Sequence, residues 1–112
     1  MKSLELLAGS SIRYNSWMHF PEYHLNIYLR LTKRYINGAM HNTIDLASIC
    51  IDEEYRSKKH FTRFLDYVEK IAETAGRVVY VESLLNKRLK QHLIKNGYSE
   101  CSLNDDSVFK II

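Results

Sequence analysis

Two stretches of this sequence carry residue types in spacings that chemistry can use. The first is "DEEYRSKKHFTRFL" (Asp52 to Leu65), where a strand-like run passes through a turn into a helical period. A helix start holds an anion through its free backbone N–H groups and the positive end of its dipole. Arg56, Ser57, Lys58, Lys59 and His60 surround that point here, with no glycine to give close backbone approach. The N–H groups need only helical dihedrals, so an anionic ligand such as a diphosphate remains a reading of this turn. Lys58, Lys59 and Arg63 either add charge toward such a ligand or form a solvated helix face, and their types fit both. Phe61 shares its spacing with Phe64, Leu65 and Val68 and reads as core.

The second feature is a pair of carboxylates in apolar runs, Asp45 in "TIDLASICI" and Glu82 closing "VVYVE". A carboxylate among apolar residues is costly unless paired, and burial raises its pKa toward the range of a general base. Each also reads as a salt-bridged or rim residue. The five histidines, His19, His24, His41, His60 and His92, show no HExxH or paired Cys/His spacing, so no metal site is expected. Neither a G-x-S-x-G nor a P-loop pattern is present.

The elements that must position these residues follow from periodicity. At 112 residues, 46% hydrophobic and 26% charged, the chain reads as one globular domain spanning 1–112. A net charge of +3 is too mild to imply nucleic acid by itself. Cys50 and Cys101 sit in apolar runs without secretory features and read as reduced thiols. No signal-peptide core or membrane span is visible, so a cytoplasmic setting without membrane contact is expected. From His24 to Thr32, Leu25, Ile27, Leu29 and Leu31 alternate with polar or aromatic residues, the period of a strand with one buried face. Asn37-Gly38 then marks a tight hairpin turn into "TIDLASICI", so residues 24 to 51 read as an antiparallel hairpin. Leu4 to Ala8 and Ile12 to Met18 are shorter strand candidates, with Pro21 ending the second.

Beyond the hairpin the period changes to three and four. Phe61, Phe64, Leu65, Val68, Ala72 and Ala75 predict an amphipathic helix from an N-cap at Ser57 to Gly76. "RVVYVES" reads as a strand, Asn86 to Asn96 as a basic helix closed by Gly97, and "YSECSL" with "SVFKII" as a strand pair around Asn104-Asp105-Asp106. This order predicts an α+β sheet with helices on its faces.

From Thr43 to Ile112 that order and its residues resemble the GCN5-related N-acetyltransferase superfamily, whose compact members occur in bacteria and phages. "ICIDEEYR" is similar to the end of the family's bulged fourth strand, Arg56 to the Arg/Gln of its Arg/Gln-x-x-Gly-x-Gly/Ala turn, Asn86 to its asparagine, and Gly97-Tyr98 to its Gly-aromatic pair. Lys59 and Phe61 stand at the two glycine positions, and Leu93 stands where many members carry a proton-donating tyrosine. The resemblance implies a mixed, mostly antiparallel sheet of about six or seven strands with two main helices, lacking the family's first two helices.

It also implies acetyl-CoA as co-substrate, an amine acceptor on a protein, nucleic acid or small molecule, and a carbonyl held by backbone N–H near Ile49, Cys50 and Ile51. Arg56, Ser57, Lys58, Lys59, His60 and Phe61 would line the diphosphate turn, and Asn86 the pantetheine arm or the cap of the next helix. Asp45, six residues before Ile51, and Glu82 are the candidate bases. His92 stands in as acid for Leu93, with Tyr98 and Tyr28 as alternatives, Tyr98 also reading as core. Two other readings stand beside catalysis. One is a degenerate fold of this type kept as a binding or regulatory module. The other is nucleic-acid binding through Lys87, Arg88, Lys90 and Lys95. Tyr14, Trp17, Phe20, Tyr23 and Tyr28 predict an aromatic partner surface, with a homodimer as one outcome.

Overall fold

A computed structural model describes residues 4–9, 13–51, 60–82, 87–101 and 104–112. The long hairpin is its spine. Strand β2 (Leu25–Ile36) and strand β3 (Ala39–Ile51) pair antiparallel from Leu25↔Ile51 to Ile36↔Ala39. They are joined by Asn37 and Gly38, with φ of 50° and 88°. Two successive left-handed residues match the twist of the strands they join, which is why Asn-Gly closes a two-residue hairpin. Strand β1 (Tyr14–Phe20) pairs with β2 and stops where Pro21 opens a 3-10 turn.

Helix α2 (His60–Ala75) follows, then β4 (Val78–Val81), helix α3 (Lys87–Lys95), β5 (Ser99–Cys101) and β6 (Asn104–Lys110). The six strands among the described residues are ordered β1-β2-β3-β4-β6-β5, and among them β3 with β4 pairs parallel while the other neighbours pair antiparallel. A parallel neighbour requires a crossover, and α2 supplies it. Gly76 ends α2 at φ +68°, a conformation that a side chain would strain. The expected N-cap, Ser57, lies outside the described residues, as do 52–59 generally.

Two expectations are corrected. "LELLA" is not a strand but a short helix, α1 (Leu4–Ala8). Its residues are strong helix formers, and Leu4 and Ala8, one turn apart, are both buried against the core. Strand β6 already includes Asn104, which pairs with Cys101, so Asn104-Asp105-Asp106 belongs to the strand rather than to the connection before it.

Alternation sorts the sheet into two faces. On one, Leu25, Ile27, Leu29, Leu31, Ile44, Leu46, Val79, Val81 and Val108 form the main core with α1, α2 and α3. Phe61, Phe64, Leu65, Val68, Ile71 and Ala72 seat α2 on it, and full burial of side chains the size of the first five stabilises by about 2 kcal/mol apiece. All described helices lie on this face. The other face carries a smaller cluster, Ile36, Val78, Tyr80 and Phe109, beside the polar residues described next.

Candidate functional site

Strands β3 and β4 stay together for only four residue pairs, Thr43↔Val78 to Leu46↔Val81. The Glu82 N–H donates to the Leu46 carbonyl at 3.1 Å and closes the ladder. At that point β3 is irregular: Leu29 faces Leu46 but Tyr28 faces Ser48, so Ala47 is an extra residue. An extra residue bends and twists its strand. Beyond it Ser48–Ile51 pair with β2, and among the described residues no strand pairs with their other edge. The result is a fork that opens toward the start of α2. His60, the first residue of α2, sets its ring 4.7 Å from that of His24, the residue before β2.

On the face away from the helices, a network of charges crosses the throat of the fork. Glu82 accepts two bonds from Arg30 Nη1, at 3.0 and 2.9 Å, and is also held by Arg34 Nη2. Arg34 Nε donates to Asp45 Oδ2 at 2.8 Å, and Thr43 Oγ1 donates to Asp45 Oδ1 at 2.6 Å. The Arg34 guanidinium lies 4.1 Å from the centre of the Tyr80 ring, a cation–π contact. Asp45 has no exposed surface, whereas the side chains of Glu82 and Arg30 are 17% and 41% exposed. Burial raises the Asp45 carboxyl above its ordinary range, against the opposing hydrogen bond from Thr43 and the charge of Arg34. For Arg34 the opposite balance holds, and Asp45 and Glu82 lift its pKa despite burial.

The structure brings Asp45 and Glu82 together and separates His92 from both. His92 is exposed on α3, its Nε2 3.2 Å from Thr62 Oγ1 on α2, so it belongs to the helix-bearing face. It lines a depression of about 70 Å³ with Thr62, Leu93, Tyr98 and Lys110. Leu93 is fully buried in the main core. Tyr98 is buried there as well, donating to Glu69 at 3.1 Å. Burial first, then the Glu69 carboxylate, pushes its hydroxyl far above the ordinary phenol range. Tyr28, by contrast, shares the face of Glu82, opposite Ser48 at the irregularity, with Arg30 5.6 Å from its ring centre.

Ile49 is half-buried at the fork, and Cys50 and Ile51 complete the strand there. Phe61 is 7% exposed and packs in the main core, as its spacing predicted. Arg56, Ser57, Lys58, Lys59 and Asn86 lie outside the described residues. On α3, Lys90 is paired with Glu100 at 3.4 Å. A larger apolar depression, about 350 Å³, lies beside Gly9 and the C-terminal half of α2, away from the fork.

No protein-family model matches the chain, and no curated protein is similar to it. Its fold is similar to solved structures. One is the KacTA–DNA complex, at 17% identity and a TM-score of 0.55 over 75% of this chain and 57% of that one. Another is a mutant AtaT toxin bound to the C-terminus of the antitoxin AtaR and acetyl-CoA, at 14% identity and 0.56 over 76% and 56%. The fold is GCN5-related N-acetyltransferase-like, a mixed α+β sheet with few helices. The chain spans somewhat more than half the length of these neighbours. Among the described residues no helix is long and apolar enough to cross a membrane, and no cluster of three or more His, Cys, Asp or Glu is placed to hold a metal ion.

Sequence reasoning missed Arg30 and Arg34. Their signal was present: both occupy polar positions of the alternating strand, the face that also carries Asp45 across the hairpin.

Proposed function

We propose that this chain is an acyltransferase that moves an acetyl group from acetyl-CoA to an amine. The observation that carries the reading is the fork between β3 and β4, opened by the extra residue at Ala47 beside the start of α2. A thioester carbonyl laid along the freed edge of Ser48–Ile51 meets backbone N–H groups, which polarise it without any particular side chain. The turn from Arg56 to His60 and Phe61, with Asn86, is where the diphosphate and pantetheine of such a ligand belong on this reading. One solved neighbour of the fold holds acetyl-CoA.

In this reading the two carboxylates have different tasks. Glu82 stands at the throat with solvent access and is the candidate base for the acceptor amine. Asp45 is enclosed and fully engaged, so it positions Arg34, which in turn holds Glu82. Tyr28 shares the face of Glu82 and replaces His92 as candidate proton donor for the departing thiolate. The acceptor is an amine of a protein, nucleic acid or small molecule approaching over the face that no described helix covers, in a cytoplasmic setting.

A second reading has its own observation. The oxygens of Glu82 are bound by two arginines, and the usual donor position is a core leucine, Leu93. A fold frozen in this way serves as a binding or regulatory module for a protein or nucleic acid; of the solved neighbours, one is in a complex with DNA and another is bound to the C-terminus of an antitoxin as well as to acetyl-CoA. Calorimetric titration with acetyl-CoA and with CoA decides between them. Micromolar binding, abolished in Arg56→Glu, supports the acyltransferase. Absence of binding up to millimolar ligand overturns it in favour of the module.

A further inference from the structure

The sheet has two edges, and they are built differently. An open edge offers a row of N–H and C=O groups to any extended chain, and proteins blunt such edges by shortness, charge, proline or a bulge. Edge strand β5 has three residues and a register shift between Glu100 and Cys101. Edge strand β1 has none of these devices. "YNSWMHF" contains no charged residue other than His19 on protonation and no proline, and it is seven residues long. Its pairing with β2 runs from Tyr14↔Leu31 to Phe20↔Leu25 without a shift. Among the described residues no strand pairs with its outer edge.

The strand is also complementary to itself. Trp17 is its central residue, and an antiparallel pairing about a two-fold axis there sets Ser16 opposite Met18, Asn15 opposite His19 and Tyr14 opposite Phe20 of a second copy. Every such pair joins residues of the same face, so the exposed set, Asn15, Trp17 and His19, meets itself, and the more enclosed set, Tyr14, Ser16, Met18 and Phe20, meets its like. No pair opposes fixed like charges, and each end gains an aromatic cross-strand pair. Trp17, 54% exposed and already edge-on to Tyr28 at 5.6 Å, would stack its outer side against Trp17 of the second copy at the axis.

We propose that this chain pairs with a second copy of itself through β1, antiparallel and centred on Trp17, joining two six-stranded sheets into one. A two-fold axis perpendicular to the sheet keeps the helices of both copies on one face and makes their opposite faces continuous. This inference stands on the edge alone and does not depend on acyl transfer.

Sedimentation equilibrium of the full chain across the micromolar range should return twice the 13.2 kDa of one chain. Trp17→Lys sets two like charges opposite each other and should return the single-chain mass with an unchanged far-UV spectrum. Trp17→Cys should cross-link the dimer under mild oxidation where the unaltered chain, with Cys50 and Cys101, does not, since opposed strand residues lie about 5 Å apart, within disulfide reach. A single-chain mass throughout for the unaltered protein overturns the proposal. So does a dimer in which Trp17→Cys fails to cross-link, a result that stands even if Trp17→Lys does not fold.

Discussion

Arg34 Nε binds Asp45 Oδ2 at 2.8 Å along a diagonal, because the residue directly across the strand pair from Asp45 is Arg30. Arg30 turns instead to Glu82, and Arg34 reaches both carboxylates, so one guanidinium ties β2, β3 and the end of β4 together. Replacing a buried ion-pair member by a neutral isostere differs from truncating it. Asp45→Asn keeps an oxygen for Arg34 Nε and should change stability by no more than about 1 kcal/mol. Asp45→Ala strands Arg34 Nε and Thr43 Oγ1 and should cost about 3 kcal/mol. Urea unfolding of the two variants checks this, and equal losses would contradict it.

The same carboxyl makes stability depend on pH. Burial raises its folded-state pKa above the ordinary 3.8, with Thr43 and Arg34 opposing. Between the unfolded and folded values the folded chain therefore carries more protons than the unfolded chain, and this group's contribution to stability falls as pH rises. Asp45→Asn removes that slope. The variant should gain on the parent as pH climbs from 3.8, and a constant difference across the acid range would show that Asp45 titrates normally.

Glu82→Gln keeps one acceptor oxygen for the arginines and removes the charge. If Glu82 takes the acceptor's proton, turnover should fall at least about a hundredfold, the usual scale of a lost general base. Acetyl-CoA affinity should stay within about twofold, because the carboxylate lies on the acceptor side. Single-turnover kinetics beside calorimetry separates the two quantities. Full turnover in Glu82→Gln would return the role of base to another group.

Tyr28 and Tyr98 should answer differently to loss of one oxygen. Tyr28→Phe should lower turnover about tenfold or more and leave the melting temperature unchanged, since its hydroxyl lies on the face of Glu82. Tyr98→Phe removes a buried bond to Glu69, which keeps Lys110 at 3.0 Å, and should cost about 1 kcal/mol without touching turnover. Melting curves and rates for both variants test the assignment, and reversed effects would place the chemistry on the helix face.

Much of the fold was legible because it is encoded locally. Alternation from Leu25 to Leu31, the Asn37-Gly38 turn and the three-four spacing from Phe61 to Ala72 each report one element's buried face. "LELLA" misled because five apolar-rich residues fit either period, and only the docking of Leu4 and Ala8 on the core decided for helix. The candidate site was legible in type but not in grouping. Asp45 and Glu82 stood out as carboxylates in apolar strands, while His92, chosen for its place beside Leu93, proved to lie across the sheet from them.

By itself, then, the sequence determined which residues face a core and where the chain turns, since side-chain alternation and backbone dihedrals act over a few neighbours. Tertiary structure alone decided that Arg34 bridges Asp45 and Glu82, that β3 parts from β4 after Leu46, and that β1 is left with an open edge. Those depend on register and strand order. They are set by contacts between residues as far apart as Arg30 and Glu82, 52 positions along the chain, and no local pattern carries that information.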